Sequence, residues 1–108
     1  MGDIGLTHYL IVSTLVFGIG AAIVMTRRNA VAVLMGVEMI LNAAALNFVA
    51  FGRYLESAER GAAAAGQVTA LFVVVAAAAE AAIALAIVLN FFNRDQTIHL
   101  DEGAELKQ

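Results

Sequence analysis

The sequence predicts an all-α membrane protein of three transmembrane helices, and three observations carry that prediction. Of its 108 residues, 62% are apolar and only 14% are charged, an apolar share well above the roughly half typical of soluble domains. Three stretches, residues 6–26, 30–51 and about 67–92, reach the ~20 apolar residues that one bilayer crossing requires. Little lies outside them, so residues 1–108 read as a single membrane domain that ends in a tail over 93–108.

The first helix, about 6–26, follows a leader, "MGDIGLTHY", without positive charge. Its apolar run is too long for a usual signal-peptide core, so it is expected to be retained. "TRRN" separates the first two spans by only three or four residues, which forces an antiparallel hairpin with a tight turn at 27–29. The second helix, about 30–51, leads into "GRYLESAERGAAAAG", about fifteen residues of mixed charge with an alanine run between Gly61 and Gly66. This segment is expected to be an exposed, mobile loop. The third helix, about 67–92, runs out into "DQTIHLDEGAELKQ", the main source of the net charge of −3. That tail is expected to be a solvated terminus, and no surface is made for nucleic acid.

Orientation follows from the basic residues near the span ends. Arg27, Arg28, Arg94 and Lys107 fall on one side, Arg53 and Arg60 on the other. The excess places the arginine turn and the C-terminus in the cytoplasm, with the N-terminus and the long connection outside, which in a bacterial inner membrane is the periplasmic side. Small residues recur where helix backbones can approach: Gly18 with Ala22, Ala32 with Gly36, and Ala76 with Ala84 around Glu80. Close packing there competes with the plain abundance of Gly and Ala in membrane helices. The absence of cysteine excludes disulfides and thiolate sites, and His8 and His99 stand near opposite ends of the chain. No metal or redox centre is expected.

The chemistry rests on two carboxylates. Glu80 sits about 18 Å along the axis from either end of the third span, and Glu38 about 12 Å from the start of the second. Their depths thus differ by ~6 Å, and a lateral helix spacing of ~8–10 Å puts the two backbones roughly 10–12 Å apart if the helices are neighbours. Inserting an ionised side chain at a helix centre costs about 2.5–3.5 kcal/mol, while holding an ordinary glutamic acid protonated at pH 7 costs about 3.7 kcal/mol. The two costs nearly cancel, so a neighbouring charge or hydrogen bond decides whether the proton stays. A proton relay requires that property; the competing reading is a protonated acid that only holds helices together by hydrogen bonds. Asn42, one turn beyond Glu38 on the same face, either orients it or holds water, or serves helix packing alone, whereas Asn47 points to the opposite face as a helix-contact residue. Arg27 and Arg28 serve as a topology anchor or, alternatively, as electrostatic tuning or partner contact. Two acids in three helices make only a segment of a path, whose continuation must come from other chains.

The stretches "RRNAVAVLMGVEMILNAAAL" and "GQVTALFVVVAAAAEAAIALAIVL" closely resemble the second and third helices of the subunit K family of proton-pumping NADH:quinone oxidoreductase, respiratory complex I. The resemblance covers roughly residues 6–94. It implies a three-helix subunit with its N-terminus outside, between quinone-proximal and antiporter-like subunits of the membrane arm in the bacterial inner membrane, an organelle membrane being left open. Glu38 and Glu80 match the family's two membrane glutamates on the hydrophilic axis that couples quinone reduction to proton movement, and Arg27 with Arg28 match a cytoplasmic pair that supports it. The resemblance further implies that this chain binds no cofactor: NAD, flavin, iron–sulfur clusters and quinone are used through other subunits. Two features depart from the pattern. Ala45 stands where many relatives carry a second asparagine, with Asn47 displaced, and the 52–66 connection looks longer than usual.

Alternatives are a C-type subunit of a multisubunit cation/proton antiporter, whose relatives commonly keep less of the two-glutamate pattern, and a purely structural membrane scaffold. A small multidrug exporter would need four spans and a glutamate in the first. A rotary proton-carrier ring subunit would have two spans and one carboxylate.

Overall fold

The structure is a computed structural model that describes residues 4–95 and 98–100; Lys107, used in the charge count, and most of the acidic tail lie outside the described residues. The chain forms three helices, α1 (Leu6–Thr26), α2 (Ala30–Leu55) and α3 (Ala62–Asp95), all long and apolar enough to cross a membrane. Helix α1 starts where the His8 ring turns back to accept the Gly5 N–H at 3.1 Å. It stops at Arg27, which is extended while its N–H still donates to the Ile23 carbonyl. Asn29 then opens α2: its side-chain oxygen accepts the Val31 and Ala32 N–H groups at 2.9 and 3.3 Å, satisfying donors that a new helix leaves without partners. The expected tight turn at 27–29 is present.

The expected loop over 52–66 is not. Helix α2 runs on to Leu55 and α3 begins at Ala62, leaving residues 56–61 as the connection. Local chemistry explains the difference. Alanine is the best helix former, so Ala62–Ala65 extend α3 instead of breaking it. Glu56 reaches forward to cap that helix, its carboxylate accepting the Gly61 N–H at 3.1 Å and the Ala63 N–H at 2.6 Å. Gly61, at φ +94°, makes the left-handed turn between them, a conformation open to glycine and strained for other residues.

Helix α2 is the middle of the three, with α1 and α3 packed on opposite sides of it. Each pairing turns on two glycines. A Cβ on Gly20 would lie 2.8 Å from the Gly36 carbonyl oxygen, and one on Gly36 would lie 2.9 Å from that of Gly20, so α1 and α2 touch backbone to backbone. Farther along, the Ser13 hydroxyl donates to the Ala43 carbonyl at 3.0 Å across the same seam. On the other side, Gly52 and Gly66 meet Cα to backbone, and a Cβ on Gly66 would collide with the Phe48 carbonyl. The expected small-residue pairs are thus only partly right. Gly36 is buried, but Gly18, Ala22 and Ala76 are exposed, and the seams use Gly20, Gly52, Gly66 and Ala77 instead.

The core that results is made of small residues. Among the described residues, every buried apolar residue is an alanine, and no large side chain is fully enclosed. At the far end of α3 the chain returns to the hairpin: Ala30 N–H donates to the Ile98 carbonyl at 2.9 Å and Leu100 N–H to the Arg28 carbonyl at 3.3 Å, pairing His99 with Asn29 as a short antiparallel bridge. That part of the tail is docked, contrary to the solvated terminus expected, because the extended backbone at 28–29 presents hydrogen-bonding groups that a second extended segment can satisfy.

Candidate functional site

Register places the two acids. Helices α2 and α3 are antiparallel and touch at Gly52 and Gly66. Glu38 lies fourteen residues before Gly52 and Glu80 fourteen residues after Gly66, so both stand ~21 Å from that contact on the same side of it. They occupy one level of the bundle, closer in depth than the ~6 Å expected from span ends alone. The earlier figure depended on where the spans were taken to begin, and α3 begins five residues sooner than expected.

The rotational setting differs between them. Taking ~100° per residue, Glu38 shares the α3-facing stripe of α2 with Gly52, Phe48 and Ala45. It is half-buried, and its Oε1 is enclosed without a hydrogen-bond partner. On α3 the stripe facing α2 runs through Gly66, Ala70 and Ala77, all buried. Glu80 sits about 60° from the line of Ala77, at the stripe's edge, and is exposed. The structure therefore gives the acids a common level but different surroundings: Glu38 is partly sheltered between helices, while Glu80 opens onto the outer surface of the chain.

Asn42 follows Glu38 by one turn on the same flank, as expected, and is exposed. Asn47 faces α1, where it lines a groove with Ser13, Thr14 and Ala43; its Oδ1 is enclosed without a partner. Arg27 and Arg28 are exposed at the hairpin. They stand one to two turns of helix beyond the level of Leu34 and well away from that of Glu38, since α2 must rise ~12 Å from Ala30 to reach Glu38. Three participants escaped the sequence reading. Asn29 before an apolar run is an N-cap signal that was available. The Glu56 cap and the docking of residues 98–100 had no comparable signal, because both join segments that the sequence presents as polar connection and tail. Among the described residues, no group of three or more His, Cys, Asp or Glu side chains could hold a metal ion.

Three apolar helices with a glycine-seamed centre and one acid in each of two adjacent spans define a multi-pass membrane protein. Comparison with known proteins makes the assignment specific. Residues 8–108 match the family described as NADH-ubiquinone/plastoquinone oxidoreductase chain 4L. Proteins named NADH-quinone oxidoreductase subunit K are similar over nearly their full lengths: that of Chlorobaculum tepidum is 48% identical, covering 98% of this chain and 94% of the relative. A subunit K 1 of Koribacter versatilis is also 48% identical, with 99% of each chain covered. The protein of Caulobacter vibrioides is 43% identical over 96% of this chain and 98% of its own. The chain belongs to this family and is a membrane subunit of NADH-quinone oxidoreductase, complex I.

Proposed function

We propose that Glu38 and Glu80 form a paired proton-transfer station through which this subunit couples quinone reduction to proton movement. The observation that carries the reading is their common level, fourteen residues from the glycine contact on each of two adjacent helices. Acids at one depth exchange a proton by lateral steps, without crossing the apolar length of the bundle. The O–H bond broken at one carboxyl is re-formed at the other through intervening water or a side chain of a neighbouring subunit. Glu38, half-buried with an enclosed oxygen in want of a donor, is the inner member. Glu80, open to the surface of the chain, hands the proton to a neighbour. Asn42 flanks Glu38 and supports water or orientation there.

In the same reading the arginine hairpin and the C-terminus face the cytoplasm of a bacterial inner membrane, and the connection between α2 and α3 faces outward. Docking of residues 98–100 on residues 28–30 supports a common side for hairpin and C-terminus. The subunit then lies between quinone-proximal and antiporter-like subunits, and electron transfer through NAD, flavin, iron–sulfur clusters and quinone belongs to other chains.

The test exchanges each acid for its amide in the assembled complex. Glu38→Gln preserves shape and hydrogen bonding but cannot cycle a proton. It is expected to leave assembly largely intact and to depress coupled quinone reduction several-fold, toward the ~10²-fold that loss of an acid–base group can cost; Glu80→Gln is expected to do less. Normal proton pumping by an assembled Glu38→Gln, Glu80→Gln double variant would reduce both residues to helix packing and make the subunit a scaffold.

A further inference from the structure

At the end of the bundle where α1 begins and α2 finishes, the two helices part to form a cleft of about 290 Å³ lined by Ile4, Leu6, Tyr9, Val49, Arg53 and Tyr54. We propose that this cleft is a binding site for the headgroup of an anionic glycerophospholipid. The proposal uses neither membrane glutamate and does not depend on which face of the membrane this end occupies.

Depth comes first. Helix α1 has 21 residues, a rise of about 31 Å, which matches a hydrocarbon core of about 30 Å. Leu6 therefore marks one boundary of the core, and Tyr9 lies less than one turn inside it. Helix α2, with 26 residues, overshoots the core by about 9 Å. Arg53, two residues from its end, stands at the level of lipid phosphates. Tyrosines concentrate at that depth because their rings suit the apolar side and their hydroxyls the polar side. Tyr9 and Tyr54 are both exposed there.

Arg53 is exposed, and no carboxylate among the described residues lies close enough to pair with it. A guanidinium offers a planar fork of donors that matches two oxygens of a phosphodiester, and the two phenol hydroxyls add donors at the rim. The remaining wall is apolar, through Ile4, Leu6 and Val49. Helical register continues it toward the membrane centre with Val12 on α1 and Leu46 on α2, so an acyl chain can leave the site along the groove. Arg60 provides the contrast: it is equally cationic but sits on the exposed 56–61 connection and is not among the residues that line this cleft. A cation, two interfacial phenols and an apolar exit in one concave site fit a phospholipid better than a peptide carboxylate, which has no acyl chain to place.

The test is made on the intact complex, reconstituted into phosphatidylcholine vesicles containing a minor fraction of photoreactive phosphatidylglycerol or, in parallel, photoreactive phosphatidylcholine with the same chains. After irradiation, labelled peptides of this subunit are read by mass spectrometry. Peptides spanning 4–9 and 49–54 are expected to be labelled several-fold more by the anionic probe. Arg53→Gln is expected to abolish that preference, Arg53→Lys to retain only part of it, since the charge stays but the bidentate fork is lost, and Arg60→Gln to leave it unchanged, with equal amounts of assembled complex in each case. Equal labelling by both probes, or a preference that survives Arg53→Gln, would identify ordinary annular lipid and overturn the proposal. Loss of labelling on adding excess inorganic phosphate would also overturn it, since the cleft would then recognise the anion alone. So would failure of either lipid to label these peptides while a photoreactive group at position 54 joins an acidic peptide of a neighbouring subunit.

Discussion

At the scale of single residues, Glu56 shows how one exposed side chain sets the length of two helices. The N–H of Ala63 first, and that of Gly61 second, hold its carboxyl below the ordinary glutamate value, against a smaller opposing effect of desolvation. A carboxyl whose value falls on folding stabilises the fold in full above its unfolded value. That contribution is lost as the pH drops through the lowered folded value. The start of α3 is therefore expected to be insensitive to pH near neutrality and to loosen in acid. Glu56→Gln keeps one acceptor oxygen and loses the other, so hydrogen exchange at the Gly61 and Ala63 amides should quicken several-fold at pH 7 and lose most of its acid dependence. Unchanged exchange would show that the alanine run holds the helix start alone. Ser13 makes a simpler case. Its hydroxyl is buried and bonds across the α1–α2 seam, and such bonds in membrane proteins are worth ~0.6 kcal/mol on average and at most about 1.7. Ser13→Ala is expected to lower the thermal stability of the solubilised complex by no more than that and to leave turnover untouched.

At the scale of elements, the seams are set by backbone approach. Adding a methyl group at Gly36 or Gly66 brings it against a carbonyl oxygen of the facing helix, an atom that can yield only if the helices separate. Gly36→Ala should therefore cost about 1–3 kcal/mol, the range for forcing volume into a packed interface. Gly66→Ala should cost at least as much, while Gly18→Ala meets nothing within 4 Å in this chain. The yield of assembled complex from membranes measures all three, and equal yields would mean that neighbouring subunits and not these glycines fix the helix spacing. The spans, the tight hairpin and both acids were legible, because a charge inside an apolar run and a three-residue gap between two such runs admit few interpretations. Which glycines form the seams was not legible: Gly18 and Gly20 are equally small, and only the rotation of α1 against α2 separates them. The common level of Glu38 and Glu80 was hidden for the same reason, since it follows from the contact of Gly52 with Gly66 and not from distances to span ends. The loop was misread because small, low-complexity residues suggest irregular chain, whereas alanine beside a carboxylate cap favours helix.

At the scale of the whole molecule, the chain is tied into a closed arrangement by its last described residues. Helix α3 has 34 residues, some thirteen more than α1, and this excess carries the chain past the membrane-spanning part before it returns to residues 28–30. The return satisfies the Ala30 N–H at the start of α2 and the Arg28 carbonyl at the hairpin, so the geometry of the arginine pair depends on a segment seventy residues away. Leu100→Pro isolates this tie, because proline removes the N–H that Arg28 accepts while leaving the rest of the tail in place. In inside-out membrane vesicles holding the assembled complex, trypsin is expected to cut after Arg27 or Arg28 several-fold faster in this variant than in the parent chain, since a protease needs the segment released into its own extended pairing. Right-side-out vesicles should be protected in both. Equal cutting rates would show that the hairpin holds its shape without the tail, and cleavage confined to right-side-out vesicles would reverse the orientation of the whole subunit. Among the described residues, a core of alanine, glycine and one serine leaves α1, α2 and α3 little to distinguish one relative setting from another by side-chain fit. Hydrogen bonds at the two ends of the bundle, from Glu56 at one and from Ile98 and Leu100 at the other, then reinforce the register that the Gly52–Gly66 contact sets and on which the alignment of the two glutamates depends.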